Sequence, residues 1–196
     1  MGRRKDCIFR QMRLNIFPVP GVVRFVRQLH RSGAVLALAT SASRSRAHST
    51  LLELGLLNCF AEVVTGEDVL LGKPDPTIYR LACHRIGIAP ERLLAVEDAI
   101  SGIRAAVGAG LRCIGVALHE MPENLISAGA AHVVRDFESI SPGWQRLDAK
   151  TLVAAHLHDR EPVLRPHLAQ HAMHVVLDGL LGQVQLAGNF LIREPC

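Results

Sequence analysis

Leu93-Leu94-Ala95-Val96-Glu97-Asp98-Ala99-Ile100-Ser101-Gly102 is the stretch on which the reading of this chain turns. Four apolar residues run straight into two adjacent carboxylates, Glu97 and Asp98, and a small-residue turn leads into a helix-like segment, Ile103–Ala109. A short run without alternation suits a strand buried on both faces of a parallel sheet. Its C-terminal tip is where ligands gather in open α/β sheets. Two readings of the acids stand side by side. They cap the following helix, where negative charge suits the dipole, or they face a ligand.

Outward from this stretch the same pattern recurs. Ala34-Val35-Leu36-Ala37-Leu38-Ala39 is a second apolar run, ending in Thr40-Ser41-Ala42-Ser43. Ala61–Val64, Arg112–Ala117 and His132–Val134 read as further short strands. Helical stripes separate them. One follows Pro20, with Val22, Val23, Phe25, Val26 and Leu29 apolar. Others span Arg44–Leu54, Pro76–Arg85 with Asp75 as its N-cap, and Pro122–Ala128, closed by Gly55, Gly87 and Gly129. Short strands alternating with helices predict an α/β fold, a Rossmann-like, doubly wound parallel sheet. The expected organisation is a basic segment over 1–17, the α/β core over 18–143 and a C-terminal extension over 144–196. The extension reads as helical at Lys150–His158 and Pro166–Leu181, with a hairpin from Gln183–Leu186 to Asn189–Ile192.

Composition fits. The chain has 196 residues, 49% hydrophobic and only 4% aromatic, so its core must be aliphatic. No apolar run approaches the roughly 20 residues of a membrane span, and the basic start lacks the apolar region of a signal peptide. A cytoplasmic protein with no membrane partner is expected. Five scattered cysteines with no Cys-x-x-Cys pair argue for free thiols rather than zinc or disulfides. Ten Lys/Arg against one Asp stand in the first 50 residues, yet Arg24, Arg27 and Arg31 are spaced as on a solvated helix face without aromatics. A nucleic-acid partner is therefore not expected. His167, His171 and His174 share one face of the expected tail helix, where solvent-facing or capping roles outweigh a metal site for want of an acidic or thiol ligand.

Three strand tips now present chemistry together: Thr40 and Ser41, Glu97 and Asp98, and, on the loop after the Ala61–Val64 strand, Lys73 within Gly72-Lys73-Pro74-Asp75-Pro76. Hydroxyls and backbone N–H groups can donate to phosphate oxygens, an ammonium can neutralise them, and paired carboxylates can hold Mg²⁺. Each part alone has a plainer reading, as a cap or a surface loop. Their order and placement together favour phosphate chemistry.

Residues from about Pro18 to Ile140 resemble the haloacid dehalogenase superfamily, and within it the phosphatase and β-phosphoglucomutase-like branch. Leu38-Ala39-Thr40-Ser41 resembles the motif whose hydroxyl binds the phosphoryl group. Gly72-Lys73-Pro74-Asp75-Pro76-Thr77-Ile78-Tyr79 resembles the one whose Lys stabilises it. Val96-Glu97-Asp98 resembles the one whose acids hold Mg²⁺. The resemblance implies Mg²⁺-dependent phosphomonoester hydrolysis or phosphoryl transfer on a phosphorylated small molecule. Thr40 and Lys73 would be catalytic; Thr40, Ser41 and Lys73 would bind phosphate; Glu97 and Asp98 would bind the metal.

One departure weighs against activity. The family opens with a central strand ending in Asp-x-Asp-Gly-Thr, whose first Asp is the nucleophile and whose second is a general acid/base. The chain contains no Asp-x-Asp, and too few residues precede Pro18 for that strand and the family's substrate-selecting cap. The resemblance implies a core short of its first strand, nucleophile and cap, and so either an inactive hydrolase or a non-catalytic phosphate-, Mg²⁺- or protein-binding module. A missing central strand leaves unpaired N–H and C=O groups on both neighbours. Leu14–Phe17, Asn189–Ile192 or a strand from another chain, a second copy or a strand-supplying partner, is expected to fill the gap.

Overall fold

Alternate residues of one short strand face opposite helical layers. In β1 (Leu36–Thr40), Leu36 and Leu38 pack with the first core cluster, and Ala37 and Ala39 with the second. The split repeats in β3 (Leu93–Glu97), where Leu94 and Val96 oppose Leu93 and Ala95, and in β4 (Arg112–Val116), where Ile114 and Val116 oppose Cys113. Both faces are dry, so the strands read as unbroken apolar runs. The structure, a computed structural model, describes residues 18–138 and the backbone of 174–177.

The first cluster lies beneath α1 (Val22–Arg31) and α2 (Arg44–Glu53). The second lies beneath α3 (Thr77–Ile86), α4 (Ile100–Gly108) and α5 (Pro122–Ser127). Between them the sheet also takes in β2 (Glu62–Thr65), β5 (His132–Val134) and β6 (His174–Leu177), in the order β2-β1-β6-β3-β4-β5 with every pairing parallel. This is the α/β, Rossmann-like architecture expected. Over residues 18–138 the expected strands and helices begin and end within about three residues of the expected positions, the largest difference being the helix after Asp98, which starts at Ile100 rather than Ile103. Among the described residues no helix is long and apolar enough to cross a membrane. Cys59, Cys83 and Cys113 are free thiols.

The gap between β1 and β3 is filled, and the tail fills it. β6 pairs Leu36, Ala37 and Leu38 on one side with Val175, Val176 and Leu177, and Leu93 to Val96 on the other with His174 to Leu177. The unpaired ladders of two inner strands supply the driving force, since unmade buried backbone hydrogen bonds are costly. The segment differs from those expected. His174–Leu177 falls inside the helix read over Pro166–Leu181, so that helix does not run through these residues, and His174 does not share a helical face with His167 and His171. The apolar His-Val-Val-Leu run is equally consistent with either structure by itself. Parallel pairing on both sides decides for strand. Leu14–Phe17, the remaining tail helices and the hairpin lie outside the described residues.

Candidate functional site

The C-terminal ends of β1 and β3 and the loop after β2 converge on one buried ion pair. Lys73 Nζ lies 2.6 Å from Glu97 Oε1, with the two side chains 5% and 1% exposed. Lys73 also donates to the carbonyl of Ala39, the residue before Thr40, at 3.2 Å. One side chain thus bridges the tips of two strands separated by β6. The Lys73-Pro74 peptide is cis.

Tyr79 completes the cluster. It stands six residues after Lys73 on α3 and is fully buried. Its hydroxyl donates to Glu97 Oε1, the oxygen Lys73 reaches, and its ring lies 4.8 Å below Lys73 Nζ. Burial lowers the Lys73 ammonium below the ordinary lysine range, against the pull of Glu97 and Asp98. Burial, and then Glu97, push the Tyr79 phenol well above its usual range, which keeps it a donor. Beside Glu97 the helix α4 carries Gly102, where a Cβ would overlap the carboxyl group. That glycine lets the acid lie flat against the helix.

The remaining expected residues take these places. Thr40 is half-buried at the end of β1, level with Thr65 of β2, and its Oγ1 accepts from the Ala42 amide at 3.2 Å. Ser41 is exposed on the turn that follows. The capping alternative for these hydroxyls passes to Ser43, whose Oγ accepts from Arg46 N at 3.4 Å at the start of α2. Asp98 is buried directly after Glu97. Neither acid is the N-cap residue of α4, a place taken by Ala99. Asp75, read as an N-cap, does accept the Thr77 amide at 2.9 Å, with the helix starting one residue later than expected.

Four contributors escaped the sequence reading: Tyr79, Gly102, Thr65 and Asp68. Tyr79 and Gly102 had a signal, each standing within a motif already quoted. Asp68 had none. It is held by Thr65, Arg44 and Arg85, and although burial opposes ionisation, those hydrogen bonds hold its carboxyl well below the ordinary range.

The fit to Mg²⁺ is limited by Glu97. Its Oε1 is committed to Lys73 and Tyr79, and among the described residues no three His, Cys, Asp or Glu side chains cluster as a metal would need. Mg²⁺ is commonly held by one or two carboxylates, water and phosphate oxygens. Asp98 with its neighbour Glu97 fits that looser requirement and not a cage made of protein alone.

Known proteins share this fold and part of this sequence. The family model of haloacid dehalogenase-like hydrolases matches residues 5–110. The chain is 36% identical over 110 residues to a validoxylamine A 7'-phosphate phosphatase of Streptomyces hygroscopicus, covering 56% of this chain and 52% of that one. It is 36% identical over 124 residues to a phosphorylated carbohydrates phosphatase of Thermotoga maritima, covering 62% and 57%. The crystal structure of CbbY from Rhodobacter sphaeroides in complex with phosphate superposes with a TM-score of 0.57 at 34% identity, covering 63% and 56%. The chain spans about half the length of the curated relatives it matches. With its parallel sheet and a match over residues 5–110 to that family's model, the chain belongs to the haloacid dehalogenase-like hydrolases.

Proposed function

We propose that this chain carries the phosphate-binding half of a haloacid dehalogenase phosphatase site. Thr40 and Ser41, with the backbone N–H groups of their turn, would bind the phosphoryl group, and Lys73 would neutralise its charge. Asp98, with Glu97 beside it, would hold Mg²⁺, which when bound would neutralise phosphate oxygens. The substrate class that fits is a small phosphorylated molecule, in keeping with the phosphorylated carbohydrates that name one relative. The carrying observation is the reach of Lys73 to both Ala39 and Glu97, which draws the three motifs to one place.

The strand between β1 and β3 favours binding over turnover. The resemblance gives that slot to a strand ending in Asp-x-Asp. The strand in it here reads His174-Val175-Val176-Leu177, and the sequence continues as Asp178-Gly179 with a single carboxylate. One carboxylate can serve as nucleophile or as general acid/base but not as both, and without the second role hydrolysis at family rates is lost. The 196-residue chain is expected to bind inorganic phosphate and to release almost none from phosphorylated sugars or p-nitrophenyl phosphate with Mg²⁺. Robust Mg²⁺-dependent release, removed by Lys73→Met, would establish an active phosphatase instead. Its removal by Asp178→Asn as well would trace the nucleophile or acid to the single carboxylate.

A further inference from the structure

We infer that Asp68 is a positioning residue that locks the Thr40-Ser41 turn to the loop carrying Lys73. Both of its oxygens are engaged. Oδ2 accepts from the Thr65 amide at 2.8 Å and the Thr65 hydroxyl at 2.7 Å. Oδ1 accepts from Arg44 at 2.7 Å and Arg85 at 2.9 Å. Those partners lie on three elements. Thr65 ends β2, Arg44 opens α2 just after the Thr40–Ser43 turn, and Arg85 closes α3, the helix that follows Lys73 and carries Tyr79. Asp68 itself sits on the loop between Thr65 and Lys73.

The two loops also touch directly. The Gly66 amide donates to the Ala42 carbonyl at 3.1 Å, and a Cβ on Gly66 would stand 2.8 Å from the Ser41 carbonyl oxygen. Backbone contact that close holds only while both loops keep their paths. The Asp68 side chain is 6% exposed and its bonds to Thr65 are partly buried, whereas Arg44 is 58% exposed and reaches it from the solvent side with its tip. Removing the charge releases the start of α2, the end of β2 and the end of α3 together. The phosphate-facing hydroxyls and the ammonium then lose their fixed separation, which an oriented binding site requires.

This inference deepens the phosphate-site reading and rests on it for its functional half. The test compares the full-length chain with Asp68→Asn, Asp68→Glu and Arg44→Gln, using hydrogen–deuterium exchange and titration with inorganic phosphate. In Asp68→Asn, exchange is expected to rise about tenfold or more in peptides covering both 40–44 and 65–73, with 93–97 and 112–116 unchanged. Arg44→Gln is expected to loosen 40–44 alone. Asp68→Glu is expected to restore part of the protection. Phosphate affinity is expected to fall about tenfold in Asp68→Asn and to recover partly in Asp68→Glu. Exchange that rises only at 65–68 would overturn the coupling, and so would phosphate affinity unchanged in Asp68→Asn. If the wild-type chain binds no phosphate, the proposed function fails, and the exchange pattern alone still decides the loop coupling.

Discussion

The carboxyl group of Glu97 occupies the space that a side chain at Gly102 would need. An acid at the end of a strand and a glycine in the helix after it are therefore one device. The glycine lets the acid lie against the first turn of α4 while its carboxyl group reaches Lys73 and Tyr79.

Gly102→Ala tests this device against ordinary helix propensity. In an open helix the change would stabilise by about 1 kcal/mol. Here the overlap with Glu97 is expected to make the variant less stable by about 1–3 kcal/mol, as overpacking does. Urea unfolding measures the difference. A more stable variant would show that Glu97 does not lie against α4.

The ion pair itself is tested by two substitutions of unequal weight. Tyr79→Phe removes one donor from Glu97 Oε1 and is expected to cost about 1–3 kcal/mol. Glu97→Gln leaves the Lys73 ammonium buried without its counter-charge and is expected to cost about 3–5 kcal/mol. The same unfolding experiment ranks them. Equal or reversed costs would mean that the pair is not sealed from water.

Asp68 sets a dependence on pH. Its folded pKa lies below the unfolded carboxylate value of about 3.9. A group of that kind contributes stability that is complete above the unfolded value and is withdrawn as pH falls toward the folded one. Arg44 and Arg85 face it, and Glu62 stands 4.0 Å from the same Arg85. The gap in unfolding midpoint between wild type and Asp68→Asn is therefore expected to hold from pH 7 to 5 and to narrow below about pH 4. A gap that stays constant into acid would show that the arginines do not stabilise the charge.

β6 is paired on both sides, so a proline in it has no edge to hide on. Val176→Pro removes a ladder donor opposite Ala37 and Ala95 and is expected to cost at least about 2–3 kcal/mol. Val176→Ala keeps the donor and serves as the comparison. Equal stability of the two variants would place the tail outside the sheet.

The core was legible in the sequence because its strands are buried on both faces and its helices end at glycines. Leu93–Val96 and Ala34–Ala39 could hardly be anything else once helical stripes flanked them. The need for a strand between β1 and β3 was also legible, since two inner ladders cannot stay open. Which segment met that need was not. Four residues, His174–Leu177, carry too little periodicity to oppose the helical pattern around them, and only the partner strands select their form. At the site, Lys73 and Glu97 were legible from their motifs, but their direct pairing was not. It depends on the Gly102 notch and the Tyr79 hydroxyl, which act through space rather than along the chain. Asp68 was invisible for the same reason, its partners standing 24 and 17 residues away.

The most direct test of the account is a calorimetric titration of the full-length chain with inorganic phosphate, with and without Mg²⁺, against Lys73→Met. The account predicts saturable binding that tightens when Mg²⁺ is present and is lost in the variant, with Mg²⁺ alone binding weakly because Glu97 is committed to Lys73. Absence of phosphate binding, or binding indifferent to Lys73, would contradict it.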